Sequence, residues 1–267
     1  MPEFPCPEPI TTVVRIPGGV LEITAEERAT ALVDVRPADD RPASYEAVER
    51  TKVEMRGDTL TVAAPEGGWL SRRGGALLVT IRVPQDGRLV VKFASTRVDC
   101  HGRFAALDAD GASGGLSIEH VTGDAKVKIA SGDVAAGRID GEFEIGGASG
   151  DVSAHYVGGA VDARLASGNV SIGAARASVK ARTASGRVAI GAAERGTVKV
   201  RTASGDVAVG VRSGTGVWLD LSTMSGRTTN DLDMTGGGES GHDLNVEVRT
   251  ASGDIAILRV PAEAAAA

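Results

Sequence analysis

A serine framed as Gly-x-Ser-x-Gly is the residue set of a strand-to-helix nucleophile turn, and the chain holds one copy, Gly111-Ala112-Ser113-Gly114-Gly115. The same serine returns as Ser131, Ser149, Ser167, Ser185, Ser204 and Ser252 in Ala-Ser-Gly and as Ser225 in Met-Ser-Gly. A nucleophile needs a single position beside a base. A serine repeated in eight registers with no helix behind it describes a corner, where glycine supplies positive φ and the hydroxyl bonds turn backbone. An acid follows several corners, at Asp133, Asp151, Asp206 and Asp254, and could ligate calcium; the Gly-Gly-x-Gly-x-Asp nonapeptide of calcium-binding solenoids is missing. His101, His120, His155 and His242 fall at scattered registers without metal-ligand spacing. Nor does any glycine-rich loop end in Lys-Ser or Lys-Thr; Gly236-Gly237-Gly238-Glu239-Ser240-Gly241 reads as a flexible loop. No catalytic, metal-binding or cofactor-binding residue is assigned.

What remains is electrostatic. The chain carries net charge −6, which disfavours general nucleic-acid binding. Residues 173–202 depart from that balance: Arg176, Lys180, Arg182, Arg187, Arg195, Lys199 and Arg201 face Glu194 alone, a local +6. These seven are the candidate anion- or partner-binding residues. Long side chains splaying into water, or Arg201 and Arg249 pairing with Asp206 and Asp254 five residues on, would accommodate these charges without function.

The elements that must position them follow from the spacing of the serines, which from Ser113 to Ser185 is 18 residues and then lengthens. Counting the repeat's alanine as position one, apolar residues occupy positions five and seven (Val152/Ala154, Val170/Ile172, Val207/Val209) and fourteen, sixteen and eighteen (Val179/Ala181/Thr183). Such period-two alternation gives strands with one face inward. Position ten adds a shorter inward point at Val121, Ile139 and Val157. The expected fold is all-β: a single parallel, right-handed β-solenoid of about 18-residue coils stacked at about 4.8 Å. Positions fifteen and seventeen point outward, so Lys180, Arg182, Lys199 and Arg201 should stack on one face.

Residues 94–260 are assigned to the solenoid, with Val98 and Cys100 inward in its first coil. Residues 1–93 alternate without a period and read as an N-terminal β cap whose strands include Val48–Met55; no amphipathic helix is expected. Residues 261–267 read as a disordered tail. Ile255 and Ile257 would then form the open last coil, an edge for self-association. Cys6 is placed in an exposed Pro-rich arm. Trp218 faces outward and Trp69 sits in a loop, too few aromatics for a sugar-stacking platform. The start shows neither a basic region nor an apolar run, and no 18-residue apolar stretch follows, so a cytoplasmic chain without a transmembrane segment is expected.

The repeated Ala-Ser-Gly-Asp-Val units, the segment Gly216-Val217-Trp218-Leu219-Asp220-Leu221-Ser222-Thr223 with Ser225-Gly226-Arg227, and the ending Val246-Glu247-Val248-Arg249-Thr250-Ala251-Ser252-Gly253-Asp254-Ile255 resemble the bacterial β-strand-repeat family known as "putative adhesin", a domain of unknown function. Met1-Pro2-Glu3-Phe4, Glu8-Pro9-Ile10 and Arg97-Val98-Asp99-Cys100-His101-Gly102 are similar to its actinobacterial, signal-less members. The resemblance spans nearly the whole chain; it implies a β-solenoid and brings no catalytic residue. The functional expectation is a non-enzymatic scaffold that docks a protein partner or self-associates through its solenoid face or C-terminal end. An adhesin-like module for an anionic polymer is the alternative, and a carbohydrate-active β-helix the weakest one.

Overall fold

The structure, a computed structural model, describes residues 2–65, 75–232 and 243–261. Trp69, His242, the glycine-rich segment 236–241 and residues 262–267 of the expected tail lie outside them. Two compact units, Met1–Ala135 and Ala136–Ala267, each contain stacked parallel coils, and the all-β solenoid expected from the repeat is the fold.

In the first unit the chain runs β1 (Glu3–Pro5), β2 (Thr11–Glu26), β3 (Thr30–Pro37), α1 (Pro42–Arg50), β4 (Lys52–Arg56), β5 (Thr59–Ala63), β6 (Leu77–Pro84), β7 (Arg88–Phe104), β8 (Ala106–Ser113), β9 (Leu116–Val121), β10 (Ala125–Ser131) and the start of β11 (Val134–Ile139). Parallel pairing begins at Thr11. One edge of β2 pairs with β7, from Thr11↔Arg88 to Ala25↔Gly102. Its other edge pairs with β5 (Thr11↔Thr59) and β6 (Gly19↔Leu77). The first long strand of the sequence is thus a rung wedged between two that come later, and position 94 falls inside β7 rather than at its start. Beyond β5 and β6 the stack is closed by antiparallel strands: β4 on β5, β3 on β6 and β1 on β3.

Two expectations fail in this unit. Residues 42–50 are helical where a strand was expected from Val48, because only Ser44 and Ala47 of α1 are buried and two small residues three apart make no visible apolar period. Pro at the first turn suits the helix, and Ser44 ties it down, accepting from Ala76 N–H at 3.1 Å and donating to Asp39 at 2.6 Å. Cys6, expected in an exposed arm, is buried, because its N–H donates to Ala29 C=O at 2.8 Å and β1 holds the arm against β3. Cys100 is inward, as the repeat predicts, and burial pushes its thiol up to about 12.

The second unit continues with β12 (Phe143–Ser149), β13 (Val152–Val157), β14 (Val161–Ser167), β15 (Val170–Ala175), β16 (Val179–Ser185), β17 (Val188–Ala193), β18 (Gly196–Ser204), β19 (Val207–Arg212), β20 (Val217–Ser225), β21 (Thr228–Asn230), β22 (Leu244–Ser252) and β23 (Ile255–Val260). One sheet stacks β12, β14, β16, β18, β22 and β20 in that spatial order. The other stacks β13, β15, β17, β19, β23 and β21. Here too a rung is inserted, since β22 and β23 separate β18 and β19 from β20 and β21 although the chain makes them last. The expectation that Ile255 and Ile257 form the open end is therefore wrong. Both are fully buried between neighbouring rungs, and the outermost coil is β20–β21.

Candidate functional site

The corner decides what the exposed columns can be. Register pairs serine with serine through Ser149, Ser167, Ser185, Ser204, Ser252 and Ser225, all solvent-facing. The glycine that follows cannot be replaced: Gly205 has φ 147°, and a Cβ there would lie 2.1 Å from Gly186 C=O. The polar residue at position four reaches along the stack to the next rung's amide. Asp151 accepts from Asn169 N–H at 2.8 Å, Asn169 from Arg187 N–H at 2.9 Å, Asp206 from Asp254 N–H at 3.0 Å and Asp254 from Arg227 N–H at 2.7 Å. The Asn169 amides hold the Asp151 carboxyl below its ordinary value. Inside the corner, Thr183, Thr202 and Thr250 donate to the carbonyls of Ser185, Ser204 and Ser252 at 3.0, 3.2 and 3.1 Å. Ala-Ser-Gly-Asp is thus a ladder of backbone caps. Among the described residues no cluster of three or more His, Cys, Asp or Glu side chains could hold a metal.

Two outward columns run up the face of the β12–β20 sheet, one residue per rung at about 4.8 Å. The position-fifteen column reads Glu144, Asp162, Lys180, Lys199, Glu247, Asp220. Its lysines are compensated within the column, Lys180 by Asp162 at 3.9 Å and Lys199 by a close contact with Glu247. The position-seventeen column reads Gly146, Arg164, Arg182, Arg201, Arg249, Ser222: four guanidinium groups on consecutive rungs. Only the outer two are paired, Arg164 with Asp162 at 2.6 Å and Arg249 with Asp220 at 3.4 Å. Arg182 and Arg201 are exposed and have no ion-pair partner among the described residues. Like charges on adjacent rungs repel, a cost that long exposed side chains relieve only in part by splaying into water. Beside the lysine column lies a groove of about 560 Å³ lined partly by Glu144, Asp162, Arg164, Lys180 and Lys199.

The other three of the seven predicted basic residues leave this face. Arg187 is at the corner, 3.5 Å from Asp206. Arg176 and Arg195 sit at the opposite turn, where Arg176 lies 3.3 Å from Glu194 and 5.7 Å from the Tyr156 ring centre, and Arg195 donates to Arg176 C=O at 3.1 Å. Arg138 stacks closer on the same ring, at 4.3 Å. The +6 segment is therefore no single patch. Arg164 and Arg249, which complete the arginine column, were missed because a count along the sequence stops short of Arg164 and cannot see that Arg249 neighbours Arg201. The signal was the position number, seventeen in each coil. The corner pairings expected for Arg201 and Arg249 do not form, because the position-four carboxylates point along the stack to amides.

Against known proteins the chain aligns at 11% identity with a "putative adhesin" from Bacteroides fragilis, over 96% of this chain and 95% of that one, with a TM-score of 0.40. It aligns at 12% identity with a "putative cell adhesion protein" from Clostridium sporogenes, over 96% of each chain, at a TM-score of 0.29. A "putative lipid binding protein" from Parabacteroides distasonis is 13% identical over 97% of this chain and 95% of that one, at 0.33. No curated protein matches. Residues 21–258, which hold the repeat, its glycine corners and most of the stacked coils, match the Toastrack DUF4097 pattern, and the chain belongs to that family.

Proposed function

We propose that the chain is a non-enzymatic binding scaffold that docks an acidic protein surface along Arg164, Arg182, Arg201 and Arg249. The observation carrying this reading is the uncompensated centre of the column: Arg182 and Arg201 repel each other on adjacent rungs, and an external carboxylate pair would relieve that cost. Arginine suits the role because its planar fork takes a carboxylate with two donors. The neighbouring column favours a folded protein over a uniform polyanion. Its order of acids, lysines and acids sets a pattern that a structured surface can match and an evenly charged chain does not. The cytoplasmic placement expected from the sequence is part of the proposal, so host lysate is the source of the partner.

Capture from that lysate by the immobilised chain, compared with the Arg182→Glu/Arg201→Glu double variant, tests it. A partner should be lost from the variant and should elute from the native chain as salt screens charges beyond about 10 Å. The lysines are left alone because their acids already neutralise them. Identical capture by both proteins rejects the reading, and capture abolished by competing heparin but by no acidic protein moves it to the adhesin-like alternative.

A further inference from the structure

The outermost coil of the second unit breaks the repeat where it would otherwise be blandest. Position one is alanine at Ala148, Ala166, Ala184, Ala203 and Ala251, but Met224 in β20, and that side chain is 87% exposed. Trp218, six residues earlier on the same strand and the same outward face, is 46% exposed. Beneath them Val217, Leu219, Leu221 and Thr223 are only half-buried, whereas their counterparts Leu244, Val246, Val248 and Thr250 one rung below are buried. Among the described residues β20 pairs with β22 alone.

Backbone direction is fixed by one bond, in which Leu244 N–H donates to Gly216 C=O at 3.1 Å. In a parallel ladder this turns Trp218, Asp220 and Ser222 toward β22 and leaves Val217, Leu219, Leu221 and Thr223 presenting N–H and C=O outward. We propose that this edge is an interface between two copies of the chain, joined by antiparallel pairing of β20 with β20 about a two-fold axis at Leu221. In that register Leu219 exchanges hydrogen bonds with Thr223 of the second copy, and Leu221 with its own counterpart. Trp218 then lies opposite Met224, and Asp220 opposite Ser222, each twice by symmetry. Those are the close, non-hydrogen-bonded pairs, where side chains meet most directly. The two exposed apolar side chains of the strand cover one another in a sulfur–aromatic contact. Competing registers are poorer: centring on Asp220 sets two carboxylates face to face, and centring on Ser222 sets Asp220 against Met224.

The register makes opposite predictions for opposite charges at one site. Size-exclusion chromatography with light scattering of the full chain should show a concentration-dependent species of twice 27.2 kDa. Ser222→Asp places like charges across the axis and should raise the dimer dissociation constant about tenfold, since each pair occurs twice, while Ser222→Lys should lower it. Met224→Ala restores the residue that the column holds elsewhere and should weaken the dimer without changing the melting of the dilute monomer. A native chain that stays monomeric at every attainable concentration overturns the proposal. So does a dimer indifferent to Ser222→Asp and Met224→Ala, or one lost instead in Arg182→Glu/Arg201→Glu.

Discussion

The last rungs of the two units, each taken by itself, meet the same problem in opposite ways. In the first, β5 and β6 are covered by antiparallel β4 and β3, and Leu60, Val62, Leu77 and Val79 are fully buried. In the second, β20 and β21 have no strand on their outer side among the described residues, and their inward positions are half-buried or exposed. A parallel rung brings an unpaired row of backbone groups wherever stacking stops. The first unit spends sequence on strands that turn back and satisfy that row. The other leaves it in place and departs from the repeat in its side chains.

The strongest way to break this comparison is to put one charge under each edge. Val62→Asp should cost roughly 4 kcal/mol or more, an unpaired carboxylate enclosed on all sides, whereas Leu219→Asp should cost about 1 kcal/mol because its side chain already reaches water. Denaturant titration of the two variants checks this, and equal losses would mean that coverage is not what distinguishes them. A somewhat smaller effect reports on the covered side through Cys100, one rung inward of β2. Its thiol is raised from 9.0 to about 12 by burial, so the unfolded chain releases the proton first. The stabilisation is complete below pH 9 and is lost as pH rises from there toward about 12, by up to about 4 kcal/mol in total. Cys100→Val should remove that part of the alkaline slope in a series of thermal melts. The smallest contrast lies at the corners: Thr250→Val in the inserted rung should cost about 1 kcal/mol, and Thr223→Val in the edge rung less, because water can replace its bond to Gly253 C=O. Chemical denaturation resolves the pair.

Much of this was legible in the chain. Position counting gave the register of every serine column and the inward residues, because an 18-residue coil with period-two strands leaves no freedom in which residue lies above which. Rung order was hidden, since Arg201 and Arg249 belong to the same column whether or not Ser222 comes between them in space, and local spacing is blind to that choice. The lengthened intervals after Ser204 and Ser225 and the deviant Met-Ser-Gly were the available hints. The arginine column was half seen for the same reason, by summing charge along sequence rather than up the stack. Helix α1 escaped because its buried face is two small side chains.

The insertion of β2 and of β22–β23 bears on how the molecule would carry load. A solenoid whose termini were its end rungs could be unzipped from either end, one ladder at a time. Here a pull on the first long strand draws on β2, which is bonded to β5 and β6 on one side and β7 on the other, and a pull from Val260 draws on β23, held by β19 and β21. Each tug must shear two ladders at once, so resistance is set by the barrier to extracting an interior rung rather than by peeling of an exposed one.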